Sequence, residues 1–362
     1  MSTGKKIFSL RYKLALLFGA LILIAGVTMG VLATRIARKA VIEKVEAHLT
    51  DKATDIAEVV DGRASSFVQF VEGLARMPFL RDNSLSLQEK ARMITIEAER
   101  NTKIDYFGVC DLEGNRYDAH RALTFVSDRE WFRAAAKGKN YITEPFLSQI
   151  TNNMQILFAV PVYDDMDTII GVLSAAAPAK LLSQEIEDII VGKTGECYIL
   201  GLTGTTIANK NYERVTGKQN AIEMARTDSS LTSLATFTRH ALDTQKSEVG
   251  YYEYNGVTNI ASYATIPSTG WTVIIKAPVD EFMGTVNALR RGIMVTGIII
   301  LVLSLVIVYI IAYKMMQPVQ AVVAALRDIA HGGGDLTVRL PVIGNDEITN
   351  LSAYFNETIE KI

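Results

Sequence analysis

Two stretches of the chain carry no charge at all, residues 14–34 and 292–313, of 21 and 22 residues. At a rise of about 1.5 Å per residue, either crosses a hydrocarbon core roughly 30 Å thick. Both are predicted to be membrane-spanning helices. A cleaved leader is a poorer reading of the first, because its apolar run exceeds the usual leader core of roughly 7–15 residues and no small-x-small site follows. The apolar periodicity also runs straight on. Val41, Val45, Leu49, Ala53, Ile56, Val60, Ala64, Phe67, Val71 and Leu74 recur at steps of three and four, one face of a helix over residues 36–76 that Pro78 ends. Such a stripe needs a domain, a second copy of itself, or both to cover it.

After a second helical stretch near residues 86–100, the pattern changes to short β-like runs at 106–110, 156–162 and 169–175. Turns are expected at Glu113-Gly114-Asn115 and over residues 164–167. The order then repeats. YFGVCDLEGNRY (106–117) is echoed by CYILGLTGTTIA (197–208), and AVPVYDDMDTIIGVLSAAAP (159–178) by YATIPSTGWTVIIKAP (263–278). Two α+β modules of about 80–100 residues are predicted, each a central antiparallel sheet with helices against it, over residues 100–180 and 190–282.

Beyond residue 313 the pattern is helical again. Pro318, Val319, Val322, Val323, Leu326 and Ile329 form an amphipathic helix broken at His331-Gly332-Gly333-Gly334-Asp335. A second helix, started by Asn345-Asp346-Glu347, places Ile348, Leu351, Phe355, Ile359 and Ile362 at heptad-like steps. This hairpin, residues 314–362, is too small for a monomeric domain and suits a parallel four-helix bundle made by two chains.

Composition sharpens this division. Hydrophobic residues make 49% of the 362 and charged residues 21%, and the apolar excess sits largely in the two spans. The net charge of −2 divides as +4 in residues 1–13, −4 in 35–313 and −2 in 314–362. No segment is polarised enough for a nucleic-acid binder. Four basic residues and no acid before the first span place the amino-terminal tail in the cytoplasm, residues 35–291 outside and both termini inside. Tyr309, Tyr313 and Lys314 suit the cytoplasmic interface.

Chemistry is sparse. Two cysteines, Cys110 and Cys197, exclude a disulfide scaffold and are expected to be small buried hydrophobes in comparable strands. His48, His120, His240 and His331 lack metal-ligand spacing, and no nucleophile elbow, P-loop or dinucleotide fingerprint occurs. Asp164, Asp165 and Asp167 read as a solvated turn rather than a calcium loop. No enzyme activity, metal or cofactor is expected. One segment offers binding chemistry: Asp128-Arg129-Glu130-Trp131-Phe132 sets a fixed cation beside two aromatic rings, suited to a ligand carboxylate in a water-excluding pocket. The bland alternative has Asp128 capping a helix, Trp131 and Phe132 in the core and Arg129 in solvent.

The chain resembles the double Cache (dCache) sensors of bacterial methyl-accepting chemotaxis receptors. SDREWFRAAAKGKNYITEPF (127–146), AVPVYDD with IIGVL, and VGKTGECYIL with TTIANKN carry that resemblance over residues 36–285. The last segment resembles the HAMP linker, through the proline after the membrane, GDLTVRL (334–340) and DEITNLSAYFNETI (346–359). The resemblance implies a homodimeric receptor of the bacterial inner membrane, here cut before its signalling domain. It would bind a small ligand in the membrane-distal first module and pass a conformational signal through the second span to the linker. The input half of a histidine kinase or diguanylate cyclase is the nearest alternative. A stand-alone binding subunit that pairs with longer receptors is another.

Amino-acid-sensing members hold the ligand carboxylate with an Arg-x-Trp-Tyr motif, and receive its amino group on a later Tyr-x-Asp and a closing-strand Asp. Arg129, Trp131 and Phe132 match the first, with Phe in place of Tyr. Phe146 and Ser148 fall on the second, and Ala176 on the third. With both carboxylates gone, a buried ammonium would lack charge partners. The expected ligand therefore bears a carboxylate or a planar polar group and is not a free amino acid. Arg129, Trp131, Phe132, Phe146 and Ser148 are the expected ligand-binding residues.

Overall fold

The computed structural model describes residues 10–100, 103–118, 121–149, 151–244, 246–331 and 337–361. The chain separates into two compact units. One is Val41–Met283, and the other joins the segment up to Ala40 with the segment from Gly284 onward.

Helix α1 (Leu10–Ala75) runs unbroken for 66 residues, so the first apolar run and the outer amphipathic helix are one element. It stops where Met77 turns extended (ψ 136°) and Pro78 opens the short α2 (Pro78–Arg81), the position where a missing N–H costs nothing. The predicted stripe is buried from Leu49 on, through Ala53, Ile56, Val60, Val71 and Leu74. Phe67 lies against Phe158 with ring centroids 4.3 Å apart, which seats the helix on the first module. Helix α3 (Leu87–Arg100) opens with a capping box: Glu89 N donates to Ser86 Oγ (3.3 Å) and Ser86 N to Glu89 Oε2 (2.9 Å).

The first module follows as β1 (Tyr106–Cys110), β2 (Asn115–Asp118), β3 (Arg121–Phe125), α4 (Glu130–Ala135), β4 (Tyr141–Ile142), β5 (Phe146–Leu147), β6 (Met154–Tyr163) and β7 (Ile169–Pro178). Its antiparallel sheet has the order β3-β2-β1-β7-β6-β4, with β5 also on β6. Gly114, at φ +93°, makes the β1–β2 turn. In the β6–β7 turn, Asp164 Oδ1 accepts from Met166 N and Thr168 N, both at 2.8 Å, and Asp165 pairs with Arg81 at 2.8 Å. These aspartates organise a turn.

Helix α5 (Lys180–Glu187) leads into the second module: β8 (Glu196–Leu200), β9 (Thr206–Asn209), α6 (Glu213–Thr216), α7 (Ala221–Met224), α8 (Thr232–Asp243), β10 (Glu248–Tyr254), β11 (Val257–Thr265) and β12 (Thr272–Pro278), closed by α9 (Val279–Phe282). Its sheet order, β10-β11-β12-β8-β9, is that of β4-β6-β7-β1-β2. The repeat read from the sequence is therefore a repeat of topology. In both modules the first strand pairs with the last. Cys110 and Cys197 are free and buried in those equivalent first strands, but on opposite faces. Cys110 packs beneath α4, whereas Tyr198 and Leu200, the neighbours of Cys197 in alternation, turn toward α8.

In the other unit the two apolar stretches lie side by side. A Cβ on Gly19 would come within 2.8 Å of Leu305, and one on Gly30 within 3.2 Å of Ile293. Small residues here let the two helices approach closely. Helix α10 (Gly284–Ala330) continues through Pro318, so the second span and the first linker helix are also one element. Helix α11 (Glu347–Lys361) packs back on it through Val322, Leu340, Phe355 and Ile359. Asn356 fixes the connector at Leu340, donating to its carbonyl and accepting from its N–H, both at 2.8 Å. The Gly332–Gly334 break and Asp335 lie outside the described residues.

Candidate ligand-binding site in the first module

Side chains directly opposed across antiparallel strands share a face. Tyr106, Gly108 and Cys110 of β1 oppose Ala176, Ser174 and Val172 of β7. Those in turn oppose Leu157, Ala159 and Pro161 of β6. This face carries α4. Cys110, Val126, Phe132, Ala135, Leu157, Ala159 and Val172 form its buried cluster, with Trp131, Tyr141 and Phe146 packed on the margin.

Three of the five residues expected from sequence therefore meet here: Phe132 in the core, Trp131 and Phe146 at its edge. Trp131 and Phe132 stand edge to face at 6.1 Å. Arg129 is elsewhere in character. It is the N-cap of α4 without a side-chain capping bond, its side chain is 60% exposed, and it lies 3.6 Å from the Asp128 carboxylate. Asp128 is not the cap. Ser148 is buried in the turn after β5, where its N–H donates to Asn153 O and its hydroxyl accepts from Thr151 N at 3.4 Å.

The strongest polar feature of the face was not singled out from sequence. Arg116 and Asp118 of β2 are paired at 3.0 Å with side chains only 6% and 2% exposed. The Arg116 guanidinium lies across Gly108, where any Cβ would collide with it. It sits 5.5 Å from the Tyr106 ring centre and donates to Ser174 Oγ at 3.4 Å. Tyr106 donates to Gln155 Oε1 (3.0 Å), and Gln155 Nε2 donates to Asp105 (2.6 Å). The signal was available: residues two apart on a strand point the same way, so Arg116-x-Asp118 predicts a cation and an anion on one face.

Burial governs the titration of nearby groups. Tyr141 is pushed up to about 12, first by burial and then by donating to Glu130. Burial likewise raises the Cys110 thiol to about 12. Neither group supplies a nucleophile or a general base at neutral pH. Among the described residues no cluster of His, Cys, Asp or Glu could hold a metal ion. The face holds a fixed buried charge pair on the sheet and an aromatic cluster under a short helix.

A larger cavity, about 460 Å³, lies on the opposite face of the sheet, against α1 and α5. Its walls are mostly apolar, among them Val60, Phe67, Phe70, Ile156 and Phe158, and its Arg63–Glu185 pair is largely solvated. It lacks the buried polar groups that fix a ligand's orientation.

Residues 33–286 match the family model described as the Cache domain. The chain belongs to the Cache domain family. Residues 310–362 match the HAMP domain. Among curated proteins, the Cache chain is 24% identical over 359 residues to methyl-accepting chemotaxis protein PctB of Pseudomonas aeruginosa, covering 96% of this chain and 53% of that one. It is 25% identical over 267 residues to methyl-accepting chemotaxis protein McpA of Pseudomonas putida, covering 73% and 40%. The chain thus spans about half the length of the curated relatives it matches. In fold it is similar to the ligand-binding domain of the Pseudomonas fluorescens chemoreceptor CtaA solved with L-isoleucine (TM-score 0.54, 16% identity, 69% of this chain and 98% of that one). The PctB ligand-binding domain solved with L-Arg gives a TM-score of 0.51 at 16% identity, covering 67% and 98%. Among the described residues, two helices, α1 and α10, are long and apolar enough to cross a membrane.

Proposed function

We propose that this Cache chain is the sensing, membrane-spanning and linker part of a chemotaxis receptor. It binds a small extracytoplasmic ligand beneath α4 of the first module and passes the signal through α10 to the HAMP hairpin. The observation that carries this reading is the Arg116–Asp118 pair buried on the sheet face that also carries α4 with its Trp131 and Phe132. A buried ion pair is weak evidence of stability, since well-packed apolar residues would often serve as well. Polar groups fixed on a sheet face under a short helix are suited to recognition. Arg129, exposed on the first turn of the same helix, is the further cation that closes on the ligand. The chain is placed in the bacterial inner membrane with both termini cytoplasmic, and acts as a homodimer.

The ligand carries a carboxylate or a planar polar group. Solved relatives hold L-isoleucine and L-Arg, so a free amino acid is the competing reading. Against it stands the charge count on this face. Ser148 and Ala176 supply no carboxylate, and Asp118, the buried carboxylate among the described residues, is already paired with Arg116. An ammonium would have to break that pair or remain uncompensated.

Isothermal titration of the whole chain in nanodiscs decides between these. Organic acids and purine-like compounds are expected to include a binder. Micromolar binding of any common amino acid would overturn the ligand class while leaving the site intact. Arg129→Ala should abolish binding without moving the melting temperature, since Arg129 is exposed; undiminished affinity would move the site away from α4.

A further inference from the structure

The second module has its own cavity, on the face that matches the first module's site. It measures about 80 Å³ and lies between the sheet and the segments α6 to α8. Its walls include Tyr198, Tyr252, Asn209, Arg214 and Lys276. Asn209 decides its chemistry. The residue is 1% exposed, and its Oδ1 is committed, accepting from Asn211 N at 2.8 Å. That bond fixes which end of the amide is which, and the Nδ2 end is buried with no partner. An unmet buried donor costs about 1–3 kcal/mol, so a protein retains one where something binds it.

The repeat supplies a second, independent pointer. Asn209 of β9 is registered opposite Tyr198, the middle residue of β8. Asp118 of β2 is registered opposite Gly108, the middle residue of β1. The two residues thus occupy the same node of the same topology, on the same relative face. In one module the node carries an acid paired with Arg116; in the other it carries an open amide donor.

Charge defines the occupant. Arg214 Nη1 and Lys276 Nζ converge on a single carboxylate oxygen, Glu196 Oε1, at 3.3 and 2.9 Å. Two cations against one anion leave one positive charge uncompensated at the cavity wall. Lys276 also lies 5.8 Å from the Tyr254 ring centre, which holds it beside the cavity. The donor set is therefore an amide N–H, a guanidinium and an ammonium, with no unpaired acceptor charge. At about 80 Å³ the cavity has room for a ligand of only a few heavy atoms.

From this we infer that the second module is a binding site for a short-chain carboxylate of two or three carbons. The carboxylate accepts from Asn209 Nδ2 and sits against the Arg214–Lys276 pair, with its small apolar end toward Tyr198 and Tyr252. This site is separate from the one beneath α4, and it stands whether or not that one takes an organic acid.

The test is titration of the full chain in nanodiscs with acetate, propionate and lactate, each to 10-fold above an affinity of about 1 mM, with propylamine as the control of opposite charge. Binding of at least one acid and none of propylamine is expected. Asn209→Asp keeps the acceptor for Asn211 N but replaces the donor with a negative charge, and should weaken the acid at least 10-fold. Arg214→Gln is the second variant, with the same expected direction. Arg129→Ala should leave this binding unchanged, which separates failure here from failure of the first-module site. Absence of saturable binding in the parent chain, or equal affinity in Asn209→Asp with its fold intact by circular dichroism, would overturn the inference.

Discussion

Gly108 and Arg116 show how closely the first-module site depends on single residues. The guanidinium lies where a Cβ at position 108 would stand, so Gly108→Ala must push Arg116 off the sheet. Overpacking of this kind costs about 1–3 kcal/mol, and we expect thermal melting to register it together with loss of ligand binding. Arg116→Ala should be worse, by about 3–5 kcal/mol, because it removes the cation buried against the Asp118 carboxylate. Replacing both partners with apolar residues of similar volume should recover most of that loss. The cysteines give a second residue-scale expectation. Burial raises both thiols to about 12, so Cys110 and Cys197 should resist a thiol reagent at pH 8 in the folded chain and react only on unfolding. Prompt labelling of either would contradict its buried placement. At this scale the sequence was only partly legible. The aromatic pair of α4 could be found because Arg-Glu-Trp-Phe is unusual in composition. Arg116 could not be found by composition, since its meaning depends on Gly108 in another strand.

At the scale of elements, period was a reliable guide. The strand at 106–110 was recovered residue for residue, and the longer ones extend the predicted cores at 156–162 and 169–175 by a few residues at their ends. Boundaries between helices were where pattern misled. The periodicity that runs on from the first span is one helix, α1, as expected, whereas the second span and the linker helix after Pro318 read as two segments and are one, α10. Surroundings change there, while backbone geometry does not. The start of α11 was legible because its cap is local. Asp346 Oδ1 accepts from Thr349 N and Thr349 Oγ1, both at 2.8 Å. The backbone bond, then the hydroxyl, hold its carboxyl below the usual aspartate value. A depressed carboxylate stabilises the fold above its ordinary value and ceases to as pH falls through the lowered one. Protection of the amides in the first turn of α11, taken relative to their intrinsic exchange rate at each pH, should therefore fall in acid below about pH 3.9. Asp346→Ala should show that lower protection already at pH 7 and converge with the parent chain at pH 2. Equal exchange at pH 7 would mean the cap does not hold the turn.

For the whole molecule, the two modules share one sheet order, and each sets a polar node under its helices. The echo between residues 106–117 and 197–208 made the repeat visible, but only the register shows that Asp118 and Asn209 are counterparts. One topology thus presents two electrostatic environments, of which the first is the one proposed to recognise the signalling ligand. The most direct measurement is ligand titration, in nanodiscs, of the parent chain and of the double variant Arg116→Met, Asp118→Leu. That variant removes the charge pair without leaving either partner buried alone, so it should fold with a melting temperature near the parent's. It should lose the first-module ligand by at least 100-fold. A folded double variant that binds the ligand as tightly as the parent chain would contradict the proposal.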